Sequence, residues 1–202
     1  MKFEYLIFII FLGFQITSAQ SFKVKWVNDG DTIILTNKKK IRYIGINTPE
    51  VDHGNIKSEP FAHVAKKANV NMVMKSFINL KYDFEKKDRY GRILAYVFLK
   101  DGNFVNAELI KKGLAHCLTI KPNIKYKELF LRLQRTAMDK KIGIWRDFKN
   151  IKNRYIGNKN SFRFHKATCK NGNKTSLRNI INLSSRFESF YEGYAPCKKC
   201  NP

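Results

Sequence analysis

Three short polar motifs, each at the end of an apolar run, punctuate the first half of the chain. Short apolar runs that end in Asn, Asp and Gly are typical of strands joined by tight turns. The motifs also contain carboxylates suited to a hard cation and arginines suited to a phosphate group. This combination predicts metal-assisted chemistry on a nucleic-acid backbone. In order, the motifs are Asn28-Asp29-Gly30-Asp31-Thr32, Asn47-Thr48-Pro49-Glu50 and Asp88-Arg89-Tyr90-Gly91-Arg92.

The net charge of the chain also points to a nucleic-acid partner. Its 202 residues include 39 Lys and Arg against 16 Asp and Glu, a net charge of +23. Such a field attracts polyanions and speeds their encounter with the protein. Nucleic acid is therefore the predicted partner, bound through its phosphates. The alternatives are an anionic membrane or cell-wall polymer, and a charge that serves only solubility.

The apolar pattern predicts strands first and helices packed against them, which is an α+β domain. The predicted strands are residues 22–27, 32–35, 41–46, 79–84 and 93–99. Ser58 followed by Pro60 indicates a helix start, with Ser58 as the N-cap. Two later helices are predicted over residues 106–112, closed by Gly113, and over residues 124–141.

The N-terminus has the features of a secretory signal over residues 1–19. Lys2 precedes an apolar run at residues 5–14, and Thr17-Ser18-Ala19 offers the small residues of a cleavage site. The run is shorter than the roughly 20 residues that a membrane span needs. We therefore expect a secreted protein, extracellular or periplasmic. The alternative is an uncleaved segment that anchors the protein, because Glu4 weakens the positive character of the start.

The ordered set of motifs resembles the staphylococcal nuclease (thermonuclease) family, from about residue 22 to residue 148. Further matching pieces are Ala95-Tyr96, Val105-Asn106, Gly113-Leu114-Ala115, Lys121-Pro122-Asn123 and Ile144-Trp145. The resemblance implies a five-stranded OB-fold barrel with three helices over residues 21–149. It also implies a calcium-dependent endonuclease that hydrolyses DNA and RNA with little sequence preference and leaves 3′-phosphate ends.

The resemblance assigns roles to individual residues. Glu50 is the implied general base, and Arg42 and Arg92 bind the phosphate, with Arg92 nearer the leaving group. Lys86 and Lys87 are candidate contacts to the substrate backbone. Taken singly, these residues also fit ordinary turns and surface charges. The implied Ca²⁺ ligands are Asp31, Asn47, Thr48 through its backbone carbonyl, and Glu50.

The chain departs from the family pattern at two places. Asn47 stands where the family has a carboxylate, and the loss of one negative charge predicts weaker Ca²⁺ binding. Asp29 is close enough in sequence to compensate. Leu118 and Ile120 stand where the family has tyrosines beside the base, so base stacking there is not expected.

The C-terminal part contains a separate set of candidate metal ligands. Residues 150–159 are predicted to be a linker, and residues 155–202 a small second unit. The pairs His165-x3-Cys169 and Cys197-x2-Cys200 suit tetrahedral, structural Zn²⁺. They resemble the zinc module of bacterial Ada-type alkyl-repair proteins, with His165 in place of a cysteine. Disulfide pairing is the alternative in an oxidising compartment.

The remaining expectations concern partners and rival functions. Cys117 lies in an apolar stretch and is predicted to be a buried free thiol. No stable protein partner is implied, and we expect a monomer. One rival is a non-catalytic or impaired nucleic-acid-binding module. The other is a nuclease tethered to the membrane or cell wall.

Overall fold

The computed structural model describes residues 20–52, 54 and 57–202 of the chain. The predicted signal segment, residues 1–19, lies outside the described residues. Across the part that is described, no helix has both the length and the apolar content that crossing a bilayer requires. The chain forms a barrel region followed by a C-terminal sheet, and the two pack together.

The strands of the barrel region are β1 (Ser21–Val27), β2 (Thr32–Leu35), β3 (Lys40–Tyr43), β4 (Gly45–Asn47), β5 (Phe77–Lys81), β6 (Ile93–Leu99) and β7 (His116–Leu118). Five of them close into a barrel in the order β1-β2-β3-β6-β5. The predicted hairpin of β1 and β2 is present, and β3 pairs in parallel with β6. The prediction of a five-stranded barrel is confirmed.

The predicted third strand, residues 41–46, is divided into two. The chain turns at Gly45, which has a φ of 81°. A Cβ atom at this glycine would lie 2.6 Å from the ring of Phe130, so the close approach also requires glycine. Beyond the turn, β4 pairs with β7, and Asn47 lies opposite His116. Arg42 thus belongs to a barrel strand, whereas Asn47 belongs to a separate strand pair.

Three helices accompany the barrel within the described residues: α1 (Ala62–Val73), α2 (Val105–Lys111) and α3 (Lys127–Asp139). The predicted Ser58 cap is wrong. The residue before α1 is Phe61, in a left-handed conformation with φ of 68°, and no side chain caps the helix. The Ser58 hydroxyl instead hydrogen-bonds to the Asp52 carboxylate. Gly113, with φ of 60°, follows α2 as predicted.

A buried asparagine ties α2 to the point where β3 gives way to β4. The Asn106 amide donates to the carbonyl of Ile44 at 2.9 Å, and its oxygen accepts the N–H of Val97 at 3.0 Å. Asn106 is fully buried, so these bonds satisfy backbone groups that water cannot reach. The break in the third strand is therefore stabilised from inside the core.

The C-terminal sheet corrects the predicted linker at residues 150–159. Most of that segment is a strand, β8 (Lys152–Asn158), which pairs on both sides. The order in the sheet is β10 (Ile180–Ser185), β8, β9 (Arg163–Lys166) and β11 (Ala195–Pro196). The inward positions of β8 include Tyr155 and Gly157, while most of its Asn, Lys and Arg side chains are exposed. The sheet is accompanied by α4 (Lys170–Asn173) and α5 (Arg186–Tyr191).

The C-terminal sheet packs on α3 rather than extending away from the barrel. Met138 and Trp145 share an apolar cluster with Phe164 and Phe190. The buried Gln134 side chain donates to the Phe190 carbonyl at 2.5 Å and accepts the backbone N–H of Cys117 at 2.6 Å. One side chain of α3 thereby connects β7 to α5. The position of the tail relative to the barrel is fixed by both apolar and polar contacts.

Candidate active site and metal cluster

A cleft of about 510 Å³ collects most of the predicted site residues. Thr48 lies just behind its wall, where its N–H binds Asp31 at 2.8 Å. Lys86 is exposed and does not line the cleft, whereas Lys87 does. The sequence-predicted residues that line it are Asp31, Arg42, Asn47, Glu50, Lys87 and Arg92.

A buried ion pair forms the floor of this site. Arg42 Nη2 lies 3.1 Å from Asp31 Oδ2, and both side chains are almost fully buried. Burial raises the pKa of Asp31 to about 6, with the Arg42 guanidinium acting in the opposite direction and Asp29 adding to the rise. The charge of Asp29 thus acts on Asp31, whose ion pair is with Arg42. An added cation would relieve this repulsion.

The Asp29-Gly30-Asp31 turn holds the first carboxylate in place. Asp29 Oδ1 accepts the N–H of Asp31 at 3.0 Å. A Cβ atom at Gly30 would lie 2.6 Å from the Thr48 side chain, so only glycine allows the two motifs to approach this closely. The first and second motifs are therefore packed against each other at the cleft.

The guanidinium of Arg42 is held from several sides. Its Nη1 donates to the carbonyls of Tyr43 at 2.8 Å and Ile46 at 2.9 Å. Its Nη2 donates to Asn47 Oδ1 at 3.0 Å in addition to the Asp31 pair. Its orientation in the cleft is consequently fixed before any substrate binds.

The Asn47 amide uses both of its ends. Its oxygen accepts from Arg42, and its Nδ2 donates to the Thr48 carbonyl at 3.2 Å. The oxygens of Asp31, Asn47, Thr48 and Glu50 are the donor type that Ca²⁺ prefers. The residues present therefore fit a calcium ion. They supply one negative charge fewer than a set with a carboxylate at position 47 would.

Glu50 lies at the solvent side of the cleft. Its backbone N–H donates to Glu59 Oε2 at 2.9 Å, and Glu59 N–H donates back to the Glu50 carbonyl at 3.0 Å. Its carboxylate lies 3.6 Å from Lys198 Nζ, and both side chains are at least half exposed. A solvent-facing carboxylate beside the buried Asp31 pair is well placed to accept a proton from water.

The second arginine is oriented by its own motif. Arg92 Nε donates to Asp88 Oδ2 at 2.7 Å, while Asp88 Oδ1 accepts the N–H groups of Tyr90 and Arg92. Partial burial alone would raise the pKa of Asp88, but these hydrogen bonds hold it below its usual value. Arg92 also lies over the exposed ring of Tyr90, 5.5 Å from its centre. Asp88 thus directs Arg92 toward the cleft.

The cleft wall at Leu118 and Ile120 has the apolar side chains that depart from the family pattern. Leu118 and Ile120 both line the cleft and present no aromatic ring. Tyr90 lines the cleft as well, with 68% of its surface exposed. Cys117, next to Leu118, is a buried free thiol as predicted, and burial raises its pKa to about 12.

A second cluster lies in the C-terminal sheet. The ligand atoms of His165, Cys169, Cys197 and Cys200 all lie within 4.8 Å of one another. His165 comes from β9, and the Cys197 pair follows β11. The cysteines of the described chain are free thiols, so the structure has no disulfide in the tail. Four nitrogen and sulfur donors at this spacing suit a closed tetrahedral metal site.

The tail contributes two cleft residues that were not predicted from the sequence. Arg163 and Lys198 belong to the tail, yet both line the cleft. Each is adjacent to the metal cluster: Arg163 precedes His165 by two residues, and Lys198 lies inside the Cys197-x2-Cys200 turn. Their closeness in sequence to the cluster ligands was the signal from which they could have been identified. Their direction toward the barrel depends on how the tail packs, which the sequence pattern does not reveal.

Comparison with known proteins places the barrel region in context. The family model described as "Staphylococcal nuclease homologue" matches residues 40–147. A thermonuclease of Staphylococcus intermedius is 40% identical over 130 residues, covering 63% of this chain and 77% of the relative. The thermonuclease of Staphylococcus hyicus is 38% identical over 136 residues, covering 66% and 80%. Endonuclease YncB of Bacillus subtilis is 37% identical over 131 residues, covering 62% of each chain.

Proposed function

The chain belongs to the staphylococcal nuclease family and is a nuclease, and from this premise we propose a secreted, calcium-dependent endonuclease. Its substrates are DNA and RNA, cleaved with little sequence preference because the recognised group is the phosphate. The observation that carries the proposal is the convergence of Asp31, Arg42, Glu50 and Arg92 on one cleft. A binding module without catalysis has no need of the exposed Glu50 carboxylate beside the buried ion pair.

The ligands proposed for Ca²⁺ are the Asp31 carboxylate, the Asn47 side-chain oxygen, the Thr48 carbonyl and Glu50. When bound, the ion offsets the charge of the phosphate and orients the reactants. The Thr48 carbonyl already accepts a hydrogen bond from the Asn47 amide at 3.2 Å, and its second lone pair is available to the ion. The missing charge at position 47 predicts a weaker calcium site than a carboxylate there would give.

The chain's own residues carry the remaining chemistry. Glu50 accepts a proton from the attacking water, whose oxygen forms the new bond to phosphorus. Arg42 and Arg92 bind the phosphate oxygens. Arg92 contacts Asp88 through Nε and can offer its two Nη groups as parallel donors. Arg42 has both Nη groups engaged and can donate through Nε. The 5′ P–O bond breaks while Arg92 stabilises the departing oxygen, which takes a proton from solvent and leaves as a 5′-hydroxyl. The other product keeps a 3′-phosphate, and Glu50 returns its proton to solvent.

We assign structural Zn²⁺ to the cluster of His165, Cys169, Cys197 and Cys200. The four donors leave no open position for a substrate or water, so the ion serves the fold of the tail. A sheet this small, with β11 of only two residues, gains much of its order from such a crosslink.

The function is tested by incubating protein that begins at Gln20 with single- and double-stranded DNA and with RNA. Ca²⁺ is titrated, removed by a chelator, and then restored alone or together with Zn²⁺. We expect cleavage that follows Ca²⁺ and product ends that a 3′-phosphatase can trim. Binding without cleavage at every Ca²⁺ and Mg²⁺ concentration would favour the impaired binding module instead. Secretion is tested separately, by mass spectrometry of the mature N-terminus.

A further inference from the structure

The tail contributes cations to the cleft of the barrel. Lys198 Nζ lies 3.6 Å from Glu50 Oε1, and Arg163 lines the same cleft. Arg42 lines this cleft as well, and the Asn47 side chain beside it is neutral. Two cations of the tail therefore lie at the same cleft as Arg42.

Arg163 is fixed by the strands that carry the metal cluster. It lies on β9, two residues before His165, and its Nη1 donates to the Pro196 carbonyl at 3.1 Å. Pro196 directly precedes Cys197 and pairs with β9. The bond orients the guanidinium from the rear and uses one of its five N–H groups. Arg163 is thus held between the two halves of the cluster.

Lys198 is fixed by the turn between two cluster cysteines. Its side chain is 76% exposed, and its ion pair with Glu50 is open to solvent. Pairs of this kind contribute little free energy, so a phosphate can replace Glu50 as the partner of the ammonium group. The neighbouring Lys199 is also exposed but does not line the cleft. The turn therefore directs one of two adjacent lysines at the site.

We propose that Arg163 and Lys198 form a second phosphate-binding subsite beside Arg42, which holds the nucleic-acid strand next to the bond being cleaved. Metal bound to the cluster of His165, Cys169, Cys197 and Cys200 keeps this subsite in place. The proposal rests on the nuclease function proposed above. Metal bound to the cluster would then support substrate binding as well as stabilise the fold of the tail.

The test measures binding rather than cleavage. A fluorescent single-stranded oligonucleotide is titrated with zinc-loaded protein in calcium-free buffer, and anisotropy gives Kd at several salt concentrations. For a single strand, removing one cation that binds a phosphate lowers the slope of log K against log salt by about 0.7. We expect Lys198→Ala to weaken binding and lower the slope by about that amount, and Lys198→Ala with Arg163→Gln to lower it by about 1.4.

Lys199→Ala is the matched control, because it removes the same charge from the same turn. Equal slopes for Lys198→Ala and Lys199→Ala would overturn the subsite, since only net charge would then matter. Zinc removal, followed by thiol titration, should reproduce the slope of the double variant, Lys198→Ala with Arg163→Gln, while near-UV circular dichroism of the barrel persists. A stripped protein that keeps the wild-type slope would overturn the role of the metal.

The two proposals fail in different ways. Calcium-dependent cleavage with equal slopes for the Lys198 and Lys199 variants leaves the nuclease function standing and removes the subsite. The opposite result is a protein that does not cleave, with a salt slope that is reduced in Lys198→Ala but not in Lys199→Ala. It keeps the subsite as a nucleic-acid contact and removes the catalytic assignment.

Discussion

The barrel buries a continuous apolar core of its own, whereas the C-terminal sheet shares its smaller core with α3 and Trp145. The barrel strands close on themselves, so none is left with an unpaired edge. The C-terminal sheet is open and ends in the two-residue β11. The barrel can therefore position its part of the cleft with its own core and its own hydrogen bonds. In our proposal the tail needs both bound metal and the docking surface on α3 to place Arg163 and Lys198.

The largest expected effect concerns the buried ion pair of the barrel. Arg42→Met should leave Asp31 buried without its cation, which costs about 3–5 kcal/mol of the free energy of unfolding. Chemical denaturation measures the loss. Arg89→Met, which removes an exposed arginine of the third motif, is the control and should change stability by less than about 0.5 kcal/mol. Equal effects of the two variants would show that the Asp31 pair does not stabilise the barrel.

The next prediction concerns a variant that should destabilise the tail more than the barrel. Cys200→Ser removes one ligand of the cluster, and bound Zn²⁺ measured by mass spectrometry should fall from about one ion per chain. At free Zn²⁺ about 100-fold above its Kd, the lost stabilisation is about 2.7 kcal/mol. The tail should then unfold before the barrel. Cys117→Ser is the control for metal content, since Cys117 lies outside the cluster. Unchanged zinc content in Cys200→Ser would contradict the assignment.

A smaller effect tests the contact that joins the two regions. Gln134→Leu leaves the Cys117 N–H buried without its partner, at a cost of about 1–3 kcal/mol. It also removes the side-chain donor to the Phe190 carbonyl, which keeps the N–H of Gly193 at 2.9 Å. Because the side chain connects β7 to α5, both regions should lose stability. Hydrogen exchange of the two segments reports this. The exposed Arg132→Ala on the same helix serves as the control, and a loss of stability confined to one region would disprove the coupling.

The smallest effect concerns the charge of the proposed calcium site. Asn47→Asp restores a carboxylate at the cleft and should tighten Ca²⁺ binding by about tenfold, or about 1.4 kcal/mol. Isothermal calorimetry of the two proteins measures the difference. Asn37→Asp makes the same charge change on an exposed turn and should leave the affinity unaltered. Equal Ca²⁺ affinities for wild type and Asn47→Asp would mean that the side chain at position 47 does not contribute to binding of the ion.

The sequence predicted the barrel well because its signals are local. The Asp29-Gly30-Asp31 turn separates two apolar runs, and Gly113 closes α2. The division at Gly45 was missed because it depends on Phe130, which is distant in sequence and close in space. Likewise, Ser58 has the chemistry of a helix cap but hydrogen-bonds to Asp52 instead.

The tail was harder to predict because β8 lacks a clear alternation of hydrophobic and polar residues. In β8 the polar Asn, Lys and Arg side chains face outward, and only Tyr155 and Gly157 are buried. Gly157 packs against Ile181, but a glycine at an inward position does not register as a hydrophobic residue in the sequence pattern. The cluster ligands could be identified from their spacing. Arg163 and Lys198 could not, because their place in the cleft follows from the docking on α3.

The assignment of the chemistry to Glu50 is tested most directly by single-turnover cleavage with the Glu50→Gln variant at saturating DNA and Ca²⁺. The account predicts a rate about 10²–10⁴-fold below wild type, because the proton acceptor is lost. DNA should bind at least as tightly, because removing a negative charge frees Lys198. A Glu50→Gln variant that cleaves at the wild-type rate would contradict the proposed mechanism.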